Sequence, residues 1–169
     1  MRALGLDVYK RQEEKRADVG FLSYIEPMPY DWVPLAEDRV MAVLPQNHPL
    51  AECATFPLQR CGEEPLILPA QGRDEDIVAL FKKEGIKPDV RFSTLEYNGT
   101  MAMVRAGLGI TITNELITRE WHHGVAVLPL DPPRQITLGM ALPSLNNAAP
   151  AVKRFVRFAA ARLTRSETL

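Results

Sequence analysis

Gly107 and Gly109 stand on either side of one leucine in the stretch STLEYNGTMAMVRAGLGITITN, residues 93–114. A G-x-G triplet can cradle a phosphate only where it follows a strand and opens a helix. The helix N-terminus then supplies free N–H groups and the positive end of the dipole. Here the order is reversed. Met101, Val104, Arg105 and Ala106 form a helix-favouring run before the glycines, and the β-branched ITIT of residues 110–113 comes after them. Gly107 therefore reads as the left-handed residue that ends a helix, and Gly109 as a point of close backbone approach. Any chemistry in this stretch belongs at its other end, near Ser93 and Thr94.

Other reactive residue types give little. Ser93 and Glu96 are spaced as S-x-x-E, a capping box, which accounts for both through helix stability alone. Cys53 and Cys61 are the only cysteines, with no second pair to complete a zinc site, and read as free thiols in a reducing compartment. His122 and His123 are adjacent, so on a helix end they point apart and share a metal poorly. His48 sits in the turn NHPLA and reads as structural. No set of serine, histidine and acid, no cysteine–histidine pair and no paired carboxylates stand out, so the expectation is a binding protein, not an enzyme, with neither cofactor nor metal.

The elements that position these residues follow from periodicity. A chain of 169 residues, 46% hydrophobic, can bury a core as one domain, built here as two lobes. Its net charge of −1 leaves no electrostatic footprint for nucleic acid. No apolar run reaches the length of about 18 residues that spans a membrane, and the N-terminus lacks a signal core. These features suggest a cytoplasmic protein with no membrane partner. Residues 1–16 are charged, include LDVYKRQ, which resembles translated adapter sequence, and are set apart from the fold as a non-native or disordered segment.

Strands are expected over 17–23, 38–45, 66–68, 89–93, 110–113, 125–130 and 134–142, with YIEPMPYDW between the first two as proline-broken loop. Residues 72–85 read as an amphipathic helix with Ile77, Leu80 and Phe81 on one face, acids in the first turn, lysines in the last and Gly85 as its cap. Helices are also expected over 94–106, after Asn114 as N-cap, and at the end of the chain. There Val152, Phe155, Val156, Ala159 and Leu163 share a stripe. Strand and helix alternate from residue 66 onward, which predicts a parallel sheet with crossover helices and an α/β class.

Several of these segments line up with one family. ADVGFLS, LAEDRVMAVLPQNHPLA, EEPLILPAQG, VRFST, MVRAGLGITI and APAVKRFVRFAAARL together resemble the effector-binding (substrate-binding) domain of LysR-type transcriptional regulators. The resemblance spans residues 17–163. It implies a fold like a type 2 periplasmic binding protein, two lobes joined by two crossing strands, here residues 39–44 and 136–142. Residues 45–133 would form the complete second lobe, and 17–44 with 134–169 an incomplete first lobe. The helix-turn-helix of such regulators is missing, so DNA would be reached only through that part, and a homodimer or tetramer is expected in the full-length protein. Helix 74–84 would be its dimer surface. An extracytoplasmic solute-binding protein of the same fold is the alternative.

The resemblance places a small-molecule effector in the cleft between the lobes. Open α/β sheets bind ligands where strands end and loops lead into helix N-termini. That rule selects PAQGR, with Pro69, Gln71, Gly72 and Arg73; then Ser93 and Thr94; and Ser23 on the partial lobe. Gln71 offers an amide, and Arg73 a bidentate partner for a carboxylate that Glu96 would repel.

Overall fold

The computed structural model describes residues 17–69, 75–119, 121 and 123–163. Residues 1–16, set apart on sequence grounds, lie outside these, as do Gln71, Gly72, Arg73 and His122. In chain order the elements are β1 (Gly20–Ser23), β2 (Asp31–Pro45), β3 (Phe56–Pro57), a 3-10 turn (Leu58–Gly62), β4 (Pro65–Leu68), α1 (Glu75–Lys83), β5 (Asp89–Ser93), α2 (Tyr97–Arg105), β6 (Thr111–Asn114), α3 (Glu115–Thr118), β7 (Val125–Asp131), β8 (Gln135–Leu142) and α4 (Pro150–Leu163). The chain divides into two compact units, Met1–Glu37 with Ile136–Leu169, and Asp38–Gln135. Both passages between them fall inside or at the start of a strand, β2 and β8.

In the first unit β1 runs antiparallel to β8, from Gly20 opposite Ala141 to Ser23 opposite Leu138. Its core is Leu35, Met140, Leu142, Val156 and Ala159. Two local expectations change here. Asp31 and Trp32, read as loop, begin a strand of fifteen residues. Pro34 lies in the part of β2 that β6 and β7 do not reach, since they pair with it only from Val40 and Met41 onward; with β8 as the neighbour in the sheet order, this part has an open side, where strand prolines are accommodated. On α4, Val156 and Ala159 are buried as expected, but Phe155 and Leu163 are 46% and 44% exposed, so the buried stripe is narrower than the sequence pattern.

In the second unit β4 and β5 are parallel, with Leu66 opposite Val90 and Leu68 opposite Ser93. Leu66 also bridges in parallel to Ile110, beside β6. β3 is parallel to β7, whereas β6 and β7 are both antiparallel to β2. The sheet is therefore mixed, not wholly parallel. The alternation from residue 66 onward could not reveal this, because β2 enters the unit from the other one and runs the opposite way. A core of Val43, Ile67, Met101, Val104 and Trp121 packs α2 onto these strands.

The glycine pair does what its order in the chain predicts. Gly107 has φ +74°, and its N–H closes the last turn of α2 on the Val104 carbonyl. A Cβ on Gly109 would fall on the Pro65 carbonyl oxygen, so glycine is what lets this turn lie against β4. No phosphate loop is formed.

Candidate functional site

The C-terminal ends of β4, β5 and β6 make one edge of the second unit. Pro69 follows β4 and is buried. Thr94 follows β5, and its N–H donates to the Leu68 carbonyl at 3.0 Å, so the two loops leave the strands side by side. Ser93 is the last residue of β5 and stands exposed. The expected capping box does not form: Glu96 itself is the N-cap of α2, with no side-chain cap bond. Ser93 is held in strand geometry opposite Leu68, too far back along the chain to cap.

Thr94 takes over the role of organising this corner. Its hydroxyl donates to the Glu96 carbonyl at 3.0 Å and lies 2.6 Å from the hydroxyl of Thr100, which is fully buried. With Thr94 donating to Glu96, Thr100 is the donor to Thr94. The Thr94 oxygen then keeps one lone pair. It can accept from a ligand donor but has no proton left for a carboxylate.

Beside this corner lies a polar cluster of which only Asn114 was expected to matter, as a helix cap. Asp38, 8% exposed at the start of the second unit, accepts a short hydrogen bond from the Asn114 amide and bonds from the Leu116 N–H at 3.2 Å. Asn114 is the N-cap of α3 by backbone angle, as expected, but its side chain is engaged by Asp38, which caps the helix in its place. Next to it Arg39 grips Glu115 through two bonds, at 2.9 and 2.6 Å. That grip holds the Glu115 carboxyl below its ordinary range. Asp38, Thr100, Thr111, Thr113, Asn114 and Thr118 are the buried polar side chains among the described residues, and all belong to the second unit. The hydroxyls of Thr111 and Thr113 have no partner there.

Of the sequence-selected residues, Pro69, Ser93 and Thr94 meet on this edge. Ser23 belongs to the first unit, at the end of β1. Gln71, Gly72 and Arg73 lie between Pro69 and α1, outside the described residues.

The remaining candidates are structural. His48 Nδ1 accepts from the Leu50 N–H at 3.1 Å, and Nε2 is 3.5 Å from Glu64, so the imidazole staples the NHPLA turn. Burial pushes the Cys61 thiol up to about 12, leaving it protonated and unreactive, while Cys53 is exposed. The carbonyl of His123 accepts from Arg105 at 2.7 Å. No group of His, Cys, Asp or Glu among the described residues could hold a metal ion. No described helix is long and apolar enough to cross a membrane.

Against known proteins, residues 4–164 match the family described as LysR substrate binding domain; the match begins inside the segment set apart above. An uncharacterised HTH-type transcriptional regulator of Bacillus subtilis, YvbU, is 31% identical over 145 residues, 84% of this chain and 49% of that protein. The regulator CatR of Pseudomonas putida is 33% identical over 81 residues, 46% of this chain and 28% of its own length. The chain thus spans about half or less of these relatives. Among solved structures, the regulatory domain of Synechocystis CcmR in complex with 2-PG superposes with a TM-score of 0.79 at 16% identity, covering 95% of this chain and 80% of that one. The effector-binding domain of QuiR in complex with shikimate gives 0.77 at 24% identity, covering 97% and 79%. The fold is that of LysR effector-binding domains, α/β and periplasmic-binding-protein-like.

Proposed function

The chain belongs to the LysR substrate-binding domain family, and from that premise we propose that it is the ligand-sensing part of a cytoplasmic LysR-type transcription regulator. It binds a small polar metabolite and does not turn it over. The ligand rests on the strand-end edge of the second unit, against Pro69, Gln71, Gly72, Arg73, Ser93 and Thr94. The observation that supports this placement most is the level ending of β4 and β5, Leu68 opposite Ser93, which opens both candidate loops on one edge. Relatives that are HTH-type transcriptional regulators favour this reading over a transported-solute binder.

The whole regulator reaches DNA through a helix-turn-helix and works as a homodimer or tetramer. The exposed side of α1 and β5, with Val78, Val90 and Phe92 on it, is the contact surface that suits the partner subunit. Ligand binding shifts the balance between conformations of the domain, and that shift is the signal.

A thermal-shift and calorimetric screen of small carboxylic acids, polyols and amino acids, shikimate included, tests the binding reading. A ligand at a hundred times its Kd should stabilise the fold by about 2.7 kcal/mol. Gln71→Ala should weaken that ligand at least about tenfold, the equivalent of one lost hydrogen bond, with melting in its absence unchanged. A ligand whose affinity ignores Gln71→Ala and Arg73→Ala, or that is found bound elsewhere, removes the proposed site.

A further inference from the structure

Arg134 lies in the turn between β7 and β8, just before the chain leaves the second unit. Its guanidinium grips Glu84 with two bonds, Nε to Oε1 at 2.9 Å and the Nη2 nitrogen to Oε2 at 2.8 Å. The third nitrogen donates to the carbonyls of Pro133 and Pro132, at 2.9 and 3.3 Å. The two side chains are only 26% and 19% exposed. The Arg134 carbonyl accepts from the Val40 N–H on β2 at 2.8 Å. One residue therefore joins the end of α1, the β7–β8 turn and β2.

Glu84 continues the last turn of α1, its N–H bonded to the Leu80 carbonyl at 3.0 Å. The other end of α1 is Glu75, six residues after Pro69 in the chain. The helix is nine residues, about 13 Å of rod. At its far end lies Arg134, whose carbonyl is bonded to β2 immediately before β8 begins, and β2 and β8 are the two strands that pass into the first unit.

We infer that Arg134 is a positioning residue that couples α1 to the two connecting strands, so that a shift of α1 is delivered to β2 and β8 through the Glu84–Arg134 fork. A bidentate guanidinium–carboxylate pair fixes orientation as well as distance, which a lysine at the same place does not. A stiff helix anchored at its end by a bidentate pair is the kind of element through which one site biases another. The input end rests on the proposed effector site; the coupling itself does not.

Hydrogen exchange read by mass spectrometry on the unliganded chain tests the coupling. Glu84→Gln should speed exchange at Val40 and over residues 135–138 at least about fivefold, while β4 and β5 keep their rates. Arg134→Lys, which keeps the charge and loses the fork, should do the same. Val78→Gly, on the exposed side of α1 and touching neither partner, should soften the rod and speed the same amides. If Val78→Gly changes only α1, the fork is a static brace and the inference falls. It falls equally if Glu84→Gln leaves Val40 and 135–138 unchanged or speeds all amides alike. No ligand enters this experiment, so its failure leaves the effector site standing, and failure of Gln71→Ala leaves the coupling standing.

Discussion

Asp38 and Arg39 are neighbours on β2 with opposite energetic weight. Asp38 is buried and satisfies two donors, the buried Asn114 amide and the part-buried Leu116 N–H. Asp38→Ala should cost about 2 kcal/mol, chiefly by leaving the Asn114 amide without its partner. Arg39 makes the better-looking ion pair, but its side chain is 56% exposed. Arg39→Ala should cost under about 1 kcal/mol, because water screens the pair. Urea midpoints of the two variants check the contrast. Neither role was legible in the sequence: Asp38 and Asn114 are 76 residues apart, and no local pattern announces a carboxylate that caps a distant helix. Gly107 was legible because helix ending is a local matter, decided by what precedes and follows it.

Glutamates held by arginines set the response to acid. Hydrogen bonding from Arg39 lowers the Glu115 carboxyl, and hydrogen bonding from Arg134 lowers that of Glu84. For Glu64, burial pushes the carboxyl up, but Arg60 and His48 outweigh it and the net direction is down. A carboxyl whose folded value lies below its unfolded one binds fewer protons when folded. Its stabilisation is full above the ordinary value of 4.5 and is lost as pH falls through the folded value. Glu75, raised first by burial and then by Asp76, works the other way and only partly offsets the three. Stability should be level near neutrality and fall below about pH 4.5. Glu115→Gln should flatten that fall in a denaturant series across pH.

At the scale of elements, the start of α2 is where expectation and structure part most clearly. The S-x-x-E spacing asks for a helix beginning just after Ser93, yet β5 keeps Ser93 in the ladder against β4 and delays the helix to Tyr97. Tertiary pairing overrides a local cap signal worth about 1 kcal/mol. The consequence is measurable. Ser93→Ala should change stability by less than about 0.5 kcal/mol, as an exposed strand residue does. Thr94→Ala should cost about 1 kcal/mol, because the buried Thr100 hydroxyl loses its 2.6 Å partner and keeps only the Glu96 carbonyl at 3.5 Å. A capping box would give the reverse order. The long elements were readable because periodicity is strong over many residues: α1 buries Ile77 and Phe81 as its pattern requires. The first half of β2 was not, because Pro34 reads as a breaker until one knows that β6 and β7 join β2 only from Val40 and Met41 onward.

At the scale of the whole molecule, the first unit carries an apolar surface that its own residues leave open. Phe21 is 54% exposed, Phe155 46% and Phe158 62%. Phe21 and Phe155 meet edge to face at 6.3 Å, and Phe158 lies one helical turn further along α4 beneath Arg162. Three contiguous phenylalanines beside β1, a strand at the end of its sheet order, form a surface that associates rather than stays in water. The purified chain should therefore self-associate with rising concentration. Phe158→Ser should reduce the association seen by sedimentation velocity while leaving the melting temperature nearly unchanged, since this side chain contributes little to the core around Val156 and Ala159. Association unaffected by Phe158→Ser and by Phe155→Ser would mean that this surface is not where copies meet, and would turn attention to α1 and β5.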